Sequence, residues 1–246
     1  MNIIPIKTTI FREGDDLISF IGKYVRRIPN RSILAITSKI VALAEGRTAP
    51  HLTERHKVRL IKSESQLAIR TKYAWLTVKD GTFMATAGID ESNGDGKLIL
   101  LPQDSFAAAK NLRRALMSKY RIKHLGIVIT DSRCIPLRAG IIGVALGYAG
   151  FCGVKDYRRE LDLFGRPFHF SRVDIADSIA AAAVLTMGEG NESQPLALAN
   201  NAPVKFMDRT NRRELAIDVR DDLYQPLFAK IGRSGIFHSR KRKSSR

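Results

Sequence analysis

The chain has 246 residues, a formal net charge of +17 and a hydrophobic fraction of 44%, which is ordinary for a globular protein. A chain of this length can bury one large core or two small ones. Its longest uncharged stretch, residues 139–154, is shorter than the roughly 20 apolar residues of a membrane helix, and its first residues show no apolar signal segment, so we expect a cytoplasmic protein without membrane contact.

In the first part of the chain, a helix and a strand follow each other closely. Residues 13–29 have the apolar spacing of a helix, with Asp15 or Asp16 as the expected cap and Pro29 beyond its end. The run "SILAITS" (32–38) is typical of a buried strand that ends in polar residues at a site.

The second part repeats this pattern. Residues 104–120 predict a helix, and "HLGIVITDS" (124–132) predicts a second buried strand that ends in acidic and hydroxyl residues. The alanine-rich segment 174–190 predicts a helix that stops at Gly188. The elements predict a mixed α/β fold, and since no Pro/Gly/Ser-rich linker divides the chain, we expect one compact unit.

The excess positive charge is concentrated in residues 55–72, 110–123 and 238–246. In the first two segments the basic residues alternate with aliphatic residues at helical spacing, which favours solvated helix faces, and the third is typical of a disordered basic end. The basic segments contain no aromatic platform for single-stranded nucleic acid. We therefore expect no nucleic-acid partner, although a basic nucleic-acid-binding module is an alternative reading of the charge.

The cysteines and histidines predict no chemistry. Cys134 and Cys152 lack a paired spacing, so they indicate neither a zinc site nor a disulfide framework, and we expect inert core thiols. Histidines without metal-binding spacing are assigned no role; they are His51, His56, His124, His169 and His238.

An acidic, glycine-rich stretch, "TAGIDESNGDG" (86–96), stands out in this basic chain. It is not an EF-hand, because a loop starting at Asp90 would need a glutamate where Leu101 stands. Its Asn-Gly and Asp-Gly pairs are strong turn formers. Asp131 ends the second predicted strand and Glu189 follows the alanine-rich helix, so three carboxylates at element ends either converge on a magnesium or manganese site that serves a nucleotide, or are separately solvated.

Several segments follow one another as do the blocks of the coenzyme F-420:L-glutamate ligase family, which the chain resembles from about residue 1 to 206. They are "AITSKIVALAEGR" (35–47), "TAGIDESN" (86–93), "GIVITDS" (126–132), "DYRRELDLFGRPF" (156–168) and "IADSIAAAAVLTMGEG" (175–190). The resemblance implies a γ-glutamyl ligase-like α/β fold over residues 1–206, an intertwined homodimer, and a C-terminal extension over 207–246 that carries the basic tail. It also implies an enzyme that joins L-glutamate to a carboxylate acceptor, driven by GTP or ATP and by Mg²⁺ or Mn²⁺.

The resemblance also implies roles for particular residues. The metal would be held by Asp90, Asp131, Ser132 and Glu189. The nucleotide would be contacted by Thr8, Thr9, Ser38, Lys39, Asn93, Met187, Gly188, Gly190 and Gln194, where glycines let backbone amides approach phosphate.

The chain departs from the family pattern at several positions. Thr8 and Thr9 stand where many members have a Leu-Pro pair, and Leu43 stands at the family's lysine, whose charge Lys39 would replace. The block after Asp131 lacks the family's tryptophan. The chain also resembles a subgroup assigned to folate metabolism, which has "GIDESNG" and "MGEGNE" in the same places, so the resemblance implies either a pterin or a deazaflavin carboxylate as the acceptor. A nucleotide-binding relative without ligase activity is a further alternative.

Three arginines are candidates for binding the carboxylates of the acceptor or of glutamate, because a guanidinium matches a carboxylate with two hydrogen bonds. They are Arg138, Arg159 and Arg166. The alternative is that they form structural ion pairs with Asp156, Glu160 and Asp162.

Overall fold

A computed structural model of the protein describes residues 1–231. The strands are β1 (Asn2–Ile6), β2 (Ser32–Thr37), β3 (Thr48–Pro50), β4 (Leu67–Arg70), β5 (Trp75–Lys79), β6 (Thr82–Ala85), β7 (Lys97–Ile99), β8 (Leu125–Cys134), β9 (Ile141–Ala149), β10 (Val154–Asp156), β11 (Arg172–Asp174) and β12 (Leu196–Asn200). The helices are α1 (Leu17–Tyr24), α2 (Ser38–Ala44), α3 (Glu54–Ser63), α4 (Ser105–Tyr120), α5 (Ile175–Met187) and α6 (Gln225–Ile231). The basic end predicted for residues 238–246 lies outside the described residues. The mixed α/β prediction is confirmed.

A five-stranded sheet in the order β1-β12-β2-β8-β9 forms the centre of the fold. β2 and β8 run parallel, and the other neighbouring pairs run antiparallel. Along β2, Leu34 and Ile36 join the core that α1 and α4 cover, whereas Ile33 and Ala35 join the core under α5. Since successive side chains of a strand point to opposite faces, a sheet covered on both faces requires the unbroken apolar run seen in the sequence.

The predicted helices are present, and aspartates begin them. Asp16, Asp104 and Asp174 each accept a hydrogen bond from a backbone N–H in the first turn of α1, α4 and α5. α5 stops where the sequence predicted, at the cap residue Gly188, whose φ of 82° favours glycine. α1 ends at Tyr24, several residues before Pro29, so the first helix is shorter than predicted.

The basic segment 55–72 is not one helix, which corrects the prediction of a helical face along its whole length. α3 ends at Ser63, and Leu67–Arg70 forms β4. The apolar residues Leu67 and Ile69 alternate with others and pair with Val78 and Leu76 of β5, so pairing with a neighbouring strand outweighs helical spacing here. β4, β5 and β6 form a small sheet, and α3, β7 and nearby residues share a separate small core.

The segment that follows the central sheet packs back onto it. Glu214 accepts hydrogen bonds from the Tyr148 hydroxyl and, at 2.7 Å, from the backbone N–H of Gly153, and Leu215 packs against the core under α5. The division at residue 206 stays a prediction. Cys134 is exposed and Cys152 is partly buried, so the expectation of two core thiols is wrong for Cys134, which ends β8 next to the turn of the β8–β9 hairpin.

Among residues 1–231, no helix is both long enough and apolar enough to span a membrane.

Candidate active site

The carboxyl ends of β2 and β8 open into a cavity of about 790 Å³. Thr37 pairs with Thr130 at the end of the parallel ladder, after which the chain enters α2 on one side and continues to Asp131 on the other. Parallel neighbours direct their carboxyl ends to the same edge of a sheet, where ligands of open α/β sheets bind. The cavity is lined by every residue predicted for the metal and the nucleotide: Thr8, Thr9, Ser38, Lys39, Asp90, Asn93, Asp131, Ser132, Met187, Gly188, Glu189, Gly190 and Gln194.

Asp90 is held at the base of a tight loop. Its backbone N–H and C=O pair with Ile99 at 2.9 and 2.8 Å, which closes the acidic stretch into a hairpin-like turn. Asn93 has a φ of 54°, and a Cβ at Gly94 would lie 2.3 Å from the carbonyl oxygen of Lys97, so this turn needs its glycine. The turn directs the Asp90 carboxylate into the cavity.

Lys39 is the direct partner of Asp90. Its Nζ lies 2.7 Å from the Asp90 carboxylate and donates to the backbone oxygen of Ser92 at 3.0 Å. Burial alone would raise the pKa of Asp90, but the Lys39 ammonium and the Ser92 hydrogen bond outweigh it and hold that pKa below its ordinary value. Lys39, on the first turn of α2, thus neutralises one predicted metal ligand.

Arg133 is the corresponding partner of Asp131, two residues further along β8. Its Nη1 pairs with the Asp131 carboxylate and donates to the carbonyl oxygen of Ser132 at 3.2 Å. Burial raises the pKa of Asp131, although Arg133 acts in the opposite direction, and the nearby Asp90 raises it further. Arg133 did not stand out in the sequence, because a lone arginine after an aspartate has no pattern of its own.

Glu189 belongs to the same electrostatic cluster. Burial raises its pKa, the carboxylates of Asp131 and Asp90 add to that rise, and the Ser132 hydroxyl and Lys39 oppose it. Carboxylates that raise each other's pKa values interact through their charges. The three predicted carboxylates all line this one cavity.

These carboxylates are not preassembled into a metal cage. Within residues 1–231, no three His, Cys, Asp or Glu side chains have the geometry to hold a metal ion. Mg²⁺ is commonly held by one or two carboxylates together with substrate phosphates, so the all-oxygen donor set fits such an ion in a site that a nucleotide completes. Gln194, which lines the same cavity, has a buried Oε1 without a hydrogen-bond partner among the described residues, a further oxygen for a ligand's donor group or cation.

The glycine-rich turn after α5 contains an acidic residue that sequence reasoning missed. The N–H of Gly190 donates to the Glu192 carboxylate at 2.8 Å, and a Cβ at Gly188 would lie 2.4 Å from the carboxyl carbon of Glu192. The turn therefore holds a carboxylate where the sequence predicted a phosphate. Asn93 connects to the same turn through a long hydrogen bond of 3.4 Å to the carbonyl oxygen of Gly190.

Other residues predicted to contact the nucleotide also form contacts within the protein. The N–H of Thr8 donates to the carbonyl oxygen of Ser193 at 2.8 Å, and the Thr9 hydroxyl lies 2.5 Å from that of Tyr24. Met187 is buried in the core under α5 and reaches the cavity wall.

The three predicted arginines lie outside this cavity. Arg138 is exposed in the β8–β9 hairpin, and Arg166 is exposed in a turn where its N–H donates to Asp162. Arg159 lines a second depression of about 800 Å³ beside Arg158. None of the three forms an ion pair within residues 1–231, and Asp156 pairs instead with Arg158 at 2.5 Å, so the structural ion-pair alternative is not observed.

The mixed α/β fold and this cavity, with carboxylates, a lysine and a glycine-rich turn at the carboxyl ends of parallel strands, are typical of an enzyme and its active site. A family model described as F420-0:Gamma-glutamyl ligase matches residues 5–201. The chain belongs to that family and is an enzyme of the ligase class.

Curated relatives cover most of the chain. A protein from Methanococcus maripaludis strain C7 named Coenzyme F420:L-glutamate ligase is 31% identical and aligns with 92% of this chain and 97% of its own length. Proteins of the same name from Methanopyrus kandleri (32% identical, 79% of this chain, 84% of theirs) and Archaeoglobus fulgidus (30%, 83%, 89%) are also similar. The predicted family is confirmed.

Proposed function

We propose that the protein uses a nucleoside triphosphate and a divalent metal to join L-glutamate by an amide bond to a carboxylate acceptor. The observation that carries the proposal is that one cavity gathers all thirteen residues predicted for metal and nucleotide. The curated relatives are named for coenzyme F420, so the deazaflavin F420-0 is the first candidate acceptor. The chain's "GIDESNG" and "MGEGNE" segments keep a folate as the second.

In this proposal the metal is held by Asp90, Asp131, Ser132 and Glu189, and when bound it neutralises charge on the triphosphate. Lys39 approaches the same phosphates from the first turn of α2, since its ammonium already lies at the cavity wall. The backbone N–H of Gly190 would donate to a phosphate oxygen only after that oxygen displaces the Glu192 carboxylate. GTP and ATP both satisfy these contacts.

The chemistry proceeds by activation of a carboxylate. The acceptor's carboxylate oxygen bonds to the γ-phosphorus as the bond from that phosphorus to the bridging oxygen breaks, giving an acyl phosphate and the nucleoside diphosphate. The amine of L-glutamate then bonds to the acyl carbon, phosphate leaves, and the amine loses a proton. Phosphoryl transfer of this kind depends mainly on positioning and electrostatic stabilisation, which a cavity with fixed charges provides.

We further propose that the active form is a homodimer. The β8–β9 hairpin exposes Ile141 and Ile142, and the segment before β11 exposes Leu163 and Phe164 at 99% and 87% of their surfaces. Apolar side chains exposed together mark an interaction surface. Arg138 and Arg166 lie in these same two exposed segments, so in such a dimer both arginines would lie at the interface between the copies.

The dimer is tested by sedimentation of the wild-type chain and of Phe164→Asp, with Leu223→Asp as an exposed control outside both segments. A dimer that Phe164→Asp dissociates and Leu223→Asp leaves intact supports the proposal. A wild-type monomer at assay concentrations rejects it.

The function itself is tested by mass spectrometry of reaction products. Purified protein receives Mg²⁺ or Mn²⁺, L-glutamate and GTP or ATP, with F420-0 in one tube and a folate in another. A mass gain of one glutamate, matched by nucleotide hydrolysis, identifies the acceptor in whichever tube shows it. Metal-dependent nucleotide binding without product in either tube rejects both acceptors.

A further inference from the structure

Arg133 is placed to interact with Asp131 by the strand that carries both. Residues two apart on a strand point to the same face, and β8 is continuous through residues 131 to 133. The side chain of Arg133 is only 10% exposed. Its guanidinium therefore occupies a buried position against a carboxylate at the wall of the cavity.

One nitrogen of this guanidinium is left without a partner. Nη1 serves Asp131 and the Ser132 carbonyl, whereas Nη2 is buried and finds no acceptor among residues 1–231. Buried polar groups are nearly always hydrogen-bonded, and a guanidinium has donors but no acceptor. Nη2 is thus a buried donor that is free to bind an oxygen from outside the described residues.

Asp90 shows the same arrangement with a different cation. Lys39 pairs with Asp90 as Arg133 pairs with Asp131, so each of the two aspartates already has a positive charge from its own chain. A divalent cation bound to either carboxylate must compete with that charge.

We propose that Arg133 is the resident counter-cation of Asp131: a divalent cation displaces it, and the freed guanidinium then binds an oxygen of the polyphosphate that enters with the cation. Arg133 is a positioning residue that couples the two ligands, and the site takes up cation and polyphosphate together more readily than either alone. The inference rests on the proposed function, because it assumes that Asp131 is a metal ligand.

The test measures binding of Mn²⁺ from the electron paramagnetic resonance signal of the free ion. Titrations use the wild type, Arg133→Gln, Arg133→Lys and Arg158→Gln, with and without a non-hydrolysable GTP analogue. Arg158→Gln is the matched control, because it removes an exposed arginine whose aspartate partner lies outside the main cavity. Circular dichroism melting verifies that each variant is folded.

Arg133→Gln is expected to bind Mn²⁺ alone about tenfold more tightly than the wild type. Substitution of residues that contact metal ligands commonly changes metal affinity by about this factor. The gain in Mn²⁺ affinity that the analogue produces should be correspondingly smaller than in the wild type, since coupling between two ligands is reciprocal. Arg133→Lys keeps the charge and should bind Mn²⁺ alone like the wild type. The control should match the wild type in both titrations.

Unchanged or weaker Mn²⁺ binding by folded Arg133→Gln overturns the inference. If that variant does not fold, Arg133→Lys decides. A lysine has no second arm for the polyphosphate, so its coupling should fall, and unchanged coupling overturns the inference. If the wild type binds no Mn²⁺ even with the analogue, the metal site of the proposed function is rejected together with the inference. If the wild type ligates glutamate with Mn²⁺ but Arg133→Gln titrates like the wild type, only the inference is rejected.

Discussion

At the scale of single residues, the two aspartates of the cavity differ in their electrostatics although each has a cationic partner. The pKa of Asp90 lies below its ordinary value and that of Asp131 lies above it. Burial dominates at Asp131, and the negative Asp90 adds to it, whereas at Asp90 the Lys39 ammonium outweighs burial. A further cation should therefore stabilise the charged form of Asp131 more than the charged form of Asp90.

Replacing Asp131 by Asn is expected to weaken metal binding and to lower product formation by at least about 100-fold, because an amide gives the cation no charge. The variant should also melt at a lower temperature, since Arg133 would lose its partner in a buried place. Mass spectrometry of the ligation product and thermal melting measure the two effects separately.

The control for this variant is Asp156→Asn, which removes an exposed aspartate paired with Arg158. It should leave turnover unchanged. Full product formation by Asp131→Asn would rule out the assigned metal role.

At the scale of elements, two aspartates that cap the N-termini of helices have pKa values shifted in opposite directions. Asp16 caps α1 and its pKa is lowered by its hydrogen bonds with Ser19. Asp174 caps α5, but burial and the neighbouring Asp177 raise its pKa to about 6 from the ordinary 3.8. Asp177 itself accepts a hydrogen bond from the backbone N–H of Ala145 and so fastens α5 to β9.

Asp174→Asn should stabilise the protein above pH 6 by about 1 kcal/mol, a value reduced for the solvent screening of a half-buried group. The folded chain holds the Asp174 proton more tightly than the unfolded chain, so this carboxyl stabilises the fold fully below pH 3.8, and that stabilisation is lost as pH rises through about 6. Asparagine caps a helix as well as aspartate does, without the charge. Its advantage should vanish near pH 4.

Denaturant unfolding at pH 2, 4, 6 and 8 measures this effect. Asp16→Asn is the matched control at the other cap. The pKa of Asp16 is lowered, so its stabilisation is present above its ordinary pKa and is lost as pH falls, and its replacement should cost stability at pH 8 but not at low pH. The same sign of pH dependence in both variants would contradict the assignment.

α5 packs closely against β9 because residue 143 of β9 is a glycine. A Cβ at Gly143 would lie 2.5 Å from the carbonyl oxygen of Ala180 and 2.7 Å from the Cβ of Val184. Gly143→Ala should therefore lower the free energy of unfolding by about 1–3 kcal/mol, the cost of overpacking. Because Gly143 pairs with Ser132, turnover should fall too.

Leu185→Ala, on the exposed side of the same helix, is the comparison and should change stability by no more than about 0.5 kcal/mol. If the two substitutions change the free energy of unfolding equally, the close approach of α5 to β9 does not determine how well residue 143 tolerates a side chain.

At the scale of the whole molecule, the effect of the net positive charge can be tested separately from catalysis. The net charge of +17 includes five basic residues within 239–246, outside the described residues, whereas the cavity gathers acidic residues. Positive charge far from the site raises attraction for any polyanion, and salt screens it.

Deleting residues 239–246 is expected to leave ligation unchanged and to weaken any nucleic-acid binding and its salt dependence. Turnover and fluorescence titration with an oligonucleotide at two salt concentrations measure both. Deletion of 207–246 is the contrasting truncation: it removes Glu214 and Leu215 from the central sheet and should destabilise the chain. Nucleic-acid binding that depends on the short tail, in a full chain that forms no ligation product, would favour the nucleic-acid alternative.

The sequence by itself determined the central strands β2 and β8, the helices α4 and α5, the cap of α1 at Asp15 or Asp16 and the stop of α5 at Gly188, because apolar runs, caps and glycine turns are properties of neighbouring residues. The sequence pattern wrongly predicted a helical face along the whole of residues 55–72, because the pairing of β4 with β5 decides between helix and strand at residues 67–70. Its resemblance to a family supplied the thirteen cavity residues together.

Only the tertiary structure decided which charges meet. The pairing of Lys39 with Asp90, the guanidinium of Arg133 at Asp131 and the carboxylate of Glu192 on the Gly190 amide depend on where loops fold back and on how deeply side chains are buried. The same packing left Arg138, Arg159 and Arg166 outside the cavity. Desolvation and Coulomb energies depend on distances in space, which residue spacing along the chain does not contain.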